Sequence, residues 1–572
     1  MIVQVMPYPA VGGGTPTLGT ATLTVASGTV GSDLTDYPLF IDLADMPAQF
    51  WSETNEGRDL RAKVGGSDVP IDLIYCDTHN QRGQAFVKAT IASASDTDIE
   101  LSWDGVSDRL DVTDTNGRDA VWSDYESVVT FGVSLEDRTG KRRSVESQGD
   151  SYSFAMSSLH TFTQDPHQGL AFDHATNSWY AIDTNAIYKF NEDFTTLQVS
   201  NLDPCGDANT LTGETTLDHL CDGCVANGYL VVPVNDYGTR GTNNIKGYIL
   251  RFDLATLALV DAFDISAIRP QISGICWNSV SNRYVGVYWN AMTELDLFTT
   301  SFTSAGSITI TNFGVNFDNC QGIEFYQDAY WLQRESADET YRVDLDGRAQ
   351  ISGLFGFPIG GNYEGLCHYK GKLAFLTDPS GSNSTVRLAD PVRDNKFAGQ
   401  AFYPFDGVNG WAEQSVGSLG TTWTMGASYK LDVAFQSAIL TYRDASSGAT
   451  NDRASLVIDD GDKVGMWDNV NSWIYASPSI NPGTTNPHRI VGVYEGTTRR
   501  LFHDGAQVNS GSITPRDADF DMLTYGTDDD SRNDILRGLV GFAYLRGDAL
   551  SADWLAAEWD NLNSPSTFYA IV

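Results

Sequence analysis

Short runs of alternating apolar and polar residues fill the first hundred residues of the chain. Gly, Pro, Asn and Asp punctuate these runs at short intervals. A period of two is typical of strands that bury one face, and frequent turns between such strands indicate antiparallel pairing. We therefore predict an antiparallel β-sandwich here, with strands in TATLTVAS, YPLFIDLAD, RDLRAKVGG, VPIDLIYCD, GQAFVKATI and TDIELSWDG.

A different pattern occupies the middle of the chain and occurs five times. A polar residue, a glycine and an apolar run recur in PHQGLAFD, LCDGCVAN, QISGICWN, DNCQGIEFY and NYEGLCHY. The repeat glycines, separated by 54, 51, 48 and 43 residues, are Gly169, Gly223, Gly274, Gly322 and Gly365. Regular spacing of this kind is typical of repeat architectures.

Each repeat glycine is followed by short strands with turns between them. A unit of three or four antiparallel strands, about 40–50 residues long, cannot bury both of its faces alone. Five such units arranged radially form a closed β-propeller. We predict a five-bladed propeller over residues 159–390, rather than five unrelated meanders in one sandwich, because the repeats match in order and register.

The segments on either side of the repeats carry motifs of a known family. The N-terminal segment resembles an uncharacterised β-sandwich module of phage and prokaryotic surface proteins. The resemblance lies in DLTDYP, the pair Phe50–Trp51, GRDLR and VP. That module commonly precedes a laminin-G-like domain, a jelly roll of the concanavalin A type. The end of that module is similar to VWSDYESVVTF, and laminin-G-like strands and turns are similar to FDGVNGW, LFHDGAQV and RGLVGFAYLRGDALSADW. The resemblance covers residues 21–145 and 395–572.

Together, the repeats and the resemblance imply an all-β protein in which a propeller interrupts a jelly roll. The expected segments are an N-terminal attachment arm (1–20), the β-sandwich module (21–125), the first part of the jelly roll (126–158), the propeller (159–390) and the remainder of the jelly roll (391–572).

Charge and hydropathy narrow the possible partners. The chain has 36 basic and 74 acidic residues, a net charge of −38. Such a surface repels phosphate, which argues against a general nucleic-acid binder. There is no apolar run of the length that a membrane span needs. The first residues, MIVQVMPYPAVGGG, have no basic stretch before an apolar one, so we do not predict a secretory signal.

Seven cysteines are present, and five of them lie within two residues of a repeat glycine. That placement suits small apolar side chains packed between blades, and reduced thiols fit assembly in a cytosol. Cys221 and Cys224 form a CxxC motif, so a zinc site including Cys205 is an alternative. A single CxxC is weak evidence for zinc.

The residues before the repeat glycines are candidate ligands, because equivalent positions of a propeller converge on the central channel. They are Gln168, Asp222, Ser273, Gln321 and Glu364. A ring of polar groups could bind a sugar or an ion. The alternative is that these side chains tie neighbouring strands through bonds to the backbone.

The C-terminal segment offers two further candidates. Asp528, Asp529 and Asp530 lie in one loop, and oxygen-rich loops bind Ca²⁺, although solvated acidic turns are commoner. Trp411, Trp467 and Trp473 lie in or beside turns, where an exposed ring could stack on a sugar. No cofactor is required by any motif, and Ca²⁺ is the one ion that the loops suggest.

Two classes of function remain. The resemblance implies a non-enzymatic virion protein, a tail fibre or surface spike, that binds host-surface polysaccharide. The arm would attach it to other tail or capsid proteins, in several copies or as a homo-oligomer. The alternatives are a glycoside hydrolase or lyase with the propeller as its catalytic domain, and a decoration protein without a ligand. No hydrolase, zinc-protease or nucleotide-binding motif favours catalysis.

Overall fold

The computed structural model describes most of the chain in a series of segments. These are residues 18–130, 137–141, 143, 146–148, 156–164, 166–237, 245–289, 292–310, 319–327, 329–334, 339–345, 349–350, 362–378, 383–390, 403–406, 411–431, 437–444, 453–459, 463–468, 472–480, 482–484, 486–514, 520–527 and 536–572.

Strands account for most of the regular structure. The strands before the repeats are β1 (Gly19–Val25), β2 (Leu34–Asp42), β3 (Arg61–Val64), β4 (Ser67–Val69), β5 (Ile71–Asp77), β6 (Arg82–Ile91), β7 (Thr97–Trp103), β8 (Tyr125–Thr130) and β9 (Glu146–Gln148). The strands of the repeats are β10 (Met156–Thr161), β11 (Gly169–Asp173), β12 (Ser178–Asp183), β13 (Ala186–Asn191), β14 (Leu197–Asn201), β15 (His219–Leu220), β16 (Cys224–Ala226), β17 (Tyr229–Asn235), β18 (Gly247–Asp253), β19 (Leu259–Asp264), β20 (Ile272–Asn278), β21 (Arg283–Tyr288), β22 (Glu294–Phe298), β23 (Ser304–Thr309), β24 (Cys320–Tyr326), β25 (Ala329–Arg334), β26 (Glu339–Asp344), β27 (Ala349–Gln350), β28 (Asn362–Tyr369), β29 (Lys372–Asp378) and β30 (Thr385–Ala389).

The strands after the repeats are β31 (Tyr403–Asp406), β32 (Trp411–Ser415), β33 (Thr422–Leu431), β34 (Ser437–Arg443), β35 (Arg453–Ile458), β36 (Val464–Asp468), β37 (Ser472–Tyr475), β38 (His488–Glu495), β39 (Thr498–His503), β40 (Ala506–Ser512), β41 (Met522–Tyr525), β42 (Arg537–Arg546) and β43 (Ala570–Ile571). The helices are α1 (Ala48–Glu53), α2 (Arg118–Val121), α3 (Pro204–Thr212), α4 (Ala552–Asn563) and α5 (Pro565–Phe568), and Leu43–Asp45 forms a 3-10 turn. None of these helices combines the length and the apolar character that a membrane crossing requires.

The chain forms two compact units, one holding residues 151–391 and the other holding residues 15–150 and 392–572. In the first unit, five antiparallel sheets follow one another as blades. In chain order they are β11-β12-β13-β14, β15-β17-β18-β19 with β16 also on β17, β20-β21-β22-β23, β24-β25-β26-β27 and β28-β29-β30-β10. The predicted all-β fold with a five-bladed propeller is confirmed.

Apolar clusters between consecutive blades show that the ring closes. One cluster joins blades one and two, and others join two with three, three with four and four with five. A further cluster packs Leu170 and Phe172 of blade one against Cys367 and Leu376 of blade five. The seven cysteines are buried free thiols, and most of those in the propeller belong to these clusters.

A repeat glycine allows the innermost strands to approach closely. A Cβ on Gly365 would lie 2.7 Å from the Leu170 nitrogen and 2.8 Å from the Gly169 Cα. Any side chain there would separate blades five and one, so the position requires glycine. The ring is completed by β10, because Met156 pairs with Ala389 and Thr161 with Thr385 on β30.

The second unit contains the β-sandwich and the jelly roll. The sandwich has sheets β4-β3-β7-β1-β43 and β2-β6-β5. The jelly roll has a core sheet, β31-β42-β33-β38-β39-β40 with β8 also on β42, and an outer sheet, β37-β36-β35-β34-β41-β32-β9. Strands from before and after the propeller segment therefore share both jelly-roll sheets.

One apolar core joins the sandwich to the jelly roll. Phe86 and Trp122 contact Phe542 of β42, with ring centroids 5.4 and 5.9 Å apart. Helix α4 contributes Trp554, whose ring meets Tyr37 of β2 at 5.1 Å. The other face of the core sheet meets the outer sheet. These shared contacts place the core sheet between two layers of side chains.

Candidate functional site

The residues that precede the five repeat glycines are all buried, on the innermost strands or just before them. Exposed fractions run from 0% for Asp222 to 8% for Gln321, and the set also includes Gln168, Ser273 and Glu364. The structure therefore brings these predicted residues together at the centre of the propeller, but it gives solvent little access to them.

Asp222 joins blade two to every other blade. Its carboxylate accepts the Leu170 N–H of blade one at 3.0 Å and the Leu366 N–H of blade five at 3.3 Å. It also accepts the N–H of Ile323 in blade four. The Asp222 backbone bonds to Ser273 and Ile275 of blade three at 3.2 Å. One carboxylate thus holds backbone donors of three blades.

Burial raises the pKa of Asp222 well above the usual range of a carboxyl, and the bonds from the backbone N–H groups oppose that rise. The donors are fixed by the strands, because each belongs to an inner strand of a blade. Removal of this side chain would leave buried N–H groups without an acceptor.

The other polar side chains of the centre also join neighbouring blades. Gln168 of blade one donates from Nε2 to Glu364 Oε2 of blade five at 2.8 Å. Ser273 of blade three donates from Oγ to the carbonyl of Cys320, in blade four, at 2.5 Å. A substrate would have to displace such bonds to reach either carboxylate. These contacts hold neighbouring blades together.

A different arrangement occurs at the edge of the outer sheet, on β36 and β37. Trp467 and Trp473 are direct cross-strand partners, with ring centroids 6.2 Å apart. Tyr475, two residues further along β37, stacks on Trp473 with centroids 5.2 Å apart and planes 9° apart. We call Trp467, Trp473 and Tyr475 the aromatic strip. Trp473 is 37% exposed.

Residues next to the strip on β36 determine how close its rings lie to the strand and which face of the sheet they occupy. Gly465 is the cross-strand partner of Tyr475, and a Cβ there would lie 3.0 Å from the Tyr475 ring. The absence of a side chain lets the ring lie close to the strand. Met466, which alternates with these positions, is fully buried. Period-two alternation thus places the rings on the face away from the buried Met466.

Two cations flank the strip. The Arg453 guanidinium lies 4.7 Å from the centre of the Trp467 ring, and the Lys463 ammonium lies 5.7 Å from that of Tyr475. Both distances are within the range of cation–π attraction. The result is a row of rings with positive charge at two points, a surface that can stack on planar or ring-shaped ligands and donate hydrogen bonds to their hydroxyls.

The remaining predicted site residues belong to the C-terminal segment. Asp528, Asp529 and Asp530 lie outside the described residues, so the expected Ca²⁺ loop stays a prediction. Trp411 opens β32, but its side chain is outside the described part of the chain. The predicted tryptophans that the structure does describe, Trp467 and Trp473, lie together.

Sequence reasoning missed one member of the strip, Tyr475, and the residues around the strip, Gly465 and the two cations. The sequence GMWDNVNSWIY does contain a usable signal, because a turn between the two tryptophans would pair them, and the spacing W-x-Y places both rings on one face of a strand. A second missed group, His488, His503 and Asp504, brings three potential metal ligands within 4.8 Å of one another.

Comparisons with known proteins give structural likenesses only. No family model matches the chain, and no curated protein matches it. The glutaminyl cyclase of Myxococcus xanthus is 11% identical, with a TM-score of 0.31, over 43% of this chain and 100% of that one. The CBM40 of the Ruminococcus gnavus IT-sialidase, bound to α2,3-sialyllactose, is 17% identical, with a TM-score of 0.22, over 24% and 82%.

A mutant of the Trypanosoma rangeli sialidase that displays trans-sialidase activity is 8% identical. The match covers 73% of this chain and 99% of that one, with a TM-score of 0.31. These identities and TM-scores carry no argument about what this chain binds or catalyses.

Proposed function

We propose that this protein binds a carbohydrate through the aromatic strip of its jelly roll. The strip is the observation that carries the proposal. Trp473 is partly open to solvent, and its ring is nearly parallel to that of Tyr475. Sugar rings present apolar C–H faces and polar edges, so a row of aromatic faces beside hydrogen-bond donors suits them.

The ligand in this proposal is a neutral polysaccharide on a cell surface. With a net charge of −38, the protein repels polyanions over the range at which charge steers association. A repeating polymer also suits a row of rings, since neighbouring sugar units can contact neighbouring side chains. Affinity at a single site of this kind is modest, and several copies acting together would raise it.

The proposed activity is binding without cleavage. Support comes from the propeller centre, where Asp222 and Glu364 are 0% and 6% exposed and hold donors from within the protein. A glycosidase places two carboxyl groups beside the scissile bond, with one of them able to protonate the leaving oxygen. Buried groups already engaged by the fold do not offer that access.

The test compares Trp473→Ala with the intact chain on neutral and acidic polysaccharides. Retention on a neutral polymer should fall about tenfold, since loss of one stacking ring costs about 1–1.5 kcal/mol. Trp473→Phe keeps a ring and should retain most of the binding. Leu202→Ala, at a 66% exposed apolar residue of the propeller, is the control for a general surface effect.

Two outcomes would contradict this function. Equal retention of the Trp473→Ala variant and the intact chain would remove the strip from the site. Steady release of new reducing ends or unsaturated products from the polymer would show an enzyme. If that release were abolished by Glu364→Gln in a folded protein, the propeller would be the catalytic domain.

We further propose that the protein is displayed on a phage-like particle, as a tail fibre or surface spike. The support is the resemblance of residues 21–145 and 395–572 to modules of phage and prokaryotic surface proteins. The attachment segment would be residues 1–19, by addition of a strand to a partner sheet. Deletion of residues 1–19 should leave a folded protein that still binds glycan and no longer joins the particle; joining as before would contradict the assignment.

A further inference from the structure

A cluster of two histidines and an aspartate lies at one end of the β38–β39 hairpin. His488 opens β38, His503 closes β39 and Asp504 follows at once. His503 is the cross-strand partner of Ile490, two residues after His488. Because side chains alternate along a strand, His488 and His503 lie on the same face of the core sheet.

The potential ligand atoms of the cluster converge on one carboxylate oxygen. Asp504 Oδ2 lies 2.8 Å from His488 Nδ1 and 3.4 Å from His503 Nδ1. The two imidazole rings stack with centroids 5.1 Å apart and planes 27° apart. All three ligand atoms lie within 4.8 Å of one another. Ligands of one tetrahedral Zn²⁺ ion are about 3.3 Å apart, given bonds of about 2.0 Å, so small side-chain rotations suffice.

The atoms that would not touch a metal are already held. His488 Nε2 lies 2.7 Å from the Pro482 carbonyl, and His503 Nε2 lies 3.1 Å from the Tyr429 hydroxyl. The other oxygen of Asp504, Oδ1, accepts the Arg489 backbone N–H at 2.9 Å. Histidines that bind a metal usually donate their second N–H to such a partner, which fixes the ring and its tautomer.

Both ring nitrogens of His488 face an oxygen atom, the Asp504 carboxylate on one side and the Pro482 carbonyl on the other. A metal ion bound at Nδ1 would leave Nε2 with the carbonyl, so the ring could keep its present orientation.

We propose that His488, His503 and Asp504 form a binding site for a divalent transition-metal ion, with Zn²⁺ as the preferred ion. Two imidazoles and one carboxylate suit Zn²⁺, whereas Ca²⁺ and Mg²⁺ take oxygen ligands. The chain supplies three ligands, so the fourth position of a tetrahedral ion is open. His503 is 4% exposed, while the His488 and Asp504 side chains are 16% and 27% exposed. The open position therefore faces the His488–Asp504 side.

The test uses the full-length protein, freed of metal with a chelator and titrated calorimetrically with ZnCl₂. We expect one Zn²⁺ per chain, and Co²⁺ in its place should give the visible absorption of a tetrahedral N/O site. His488→Gln and Asp504→Asn each remove one partly exposed ligand. Each should weaken Zn²⁺ binding at least about tenfold, with an unchanged circular dichroism spectrum confirming the fold.

His167→Gln is the matched control. His167 Nδ1 faces the Asp183 carboxylate at 3.1 Å, yet among the described residues it belongs to no three-ligand group. That variant should bind Zn²⁺ as the intact chain does. Absence of saturable Zn²⁺ binding by the intact chain would overturn the proposal, and so would equal affinity in the His488→Gln/Asp504→Asn double variant.

Discussion

The centre of the propeller and the aromatic strip of the jelly roll are both sets of residues of a kind that binds sugars. At the centre, polar side chains converge, but the protein itself supplies their partners: Asp222 holds backbone N–H groups, and Glu364 holds Gln168. At the strip, the side chains support one another by stacking, and the Trp473 ring remains partly exposed.

This difference teaches that the residue type does not identify a site. Polar side chains at the centre of a propeller can all be hydrogen-bonded within the protein, because five inner strands bring many backbone donors to one point. Aromatic rings on an edge hairpin lie at the border of the sheet, and here 37% of Trp473 is exposed to a ligand. Substitutions at the two places should therefore act on different quantities, stability and binding.

The largest effect is expected from Asp222→Ala. The change leaves buried N–H groups of Leu170, Leu366 and Ile323 without an acceptor, at about 1–3 kcal/mol each. We expect the propeller to lose about 3–5 kcal/mol of stability, seen by calorimetry as an earlier transition. Asp261→Ala, at a side chain 46% exposed, is the control and should leave the transition in place. An unchanged unfolding transition combined with loss of glycan binding would show that Asp222 acts in binding and not in stability.

A smaller effect is expected from Glu364→Gln. The new amide can still accept the Gln168 bond through its oxygen, but a bond between two amides is weaker than one to a carboxylate, so the loss should be about 1 kcal/mol. Calorimetry and polysaccharide retention should be measured on the same sample. Retention should be unchanged, and a fall in retention without a change in stability would place a ligand at the propeller centre.

Gly465→Ala tests the aromatic strip, where we expect an effect on binding and little effect on stability. The added methyl would approach the Tyr475 ring to 3.0 Å and tilt it. We expect retention to weaken about two- to fivefold, since an aromatic contact is worth about 0.5–1.5 kcal/mol, with little change in the calorimetric transition. Gly511→Ala, where the nearest contact is 3.3 Å from Ile474, should retain binding. Equal retention by both variants would show that the tilt of Tyr475 does not matter.

The smallest effect is expected from Lys463→Gln. Its ammonium lies at 5.7 Å from the Tyr475 ring centre, and an exposed contact of this kind contributes about 0.5 kcal/mol. Retention on a neutral polysaccharide should fall about twofold at most, and an increase in NaCl from ~0.05 to ~0.5 M should change it little. A steep dependence on salt would instead indicate an acidic ligand.

The sequence predicted the propeller because its repeat glycines report a local requirement. Gly365 must lack a side chain where blade five meets blade one, and a glycine recurs at the equivalent place in the other blades, where a Cβ would lie 2.5–3.1 Å from its nearest neighbour. The polar residue before each glycine was predicted on the same basis. That Asp222 would span the centre could not be predicted, since its partners come from blades one, four and five.

The strip and the histidine cluster were harder to find for the same reason. Trp467 and Trp473 stood out singly, but their pairing depends on the register of β36 with β37. His488 and His503 are separated by a whole hairpin, so no short motif contains them both. Pairing register, rather than composition, decides which side chains meet in a protein built of strands.

The pairing of β10 with β30 makes the propeller segment a cassette. Met156 and Ala389 are register partners, so the chain enters and leaves this unit about 5 Å apart. For the chain on either side, the propeller segment spans no more distance than a short loop would. The entropy lost in bringing the two flanking ends together is then that of a short loop, although more than two hundred residues lie between Met156 and Ala389. A short linker, or another domain with adjacent ends, could take the place of the propeller without a change in the reach required of the chain on either side.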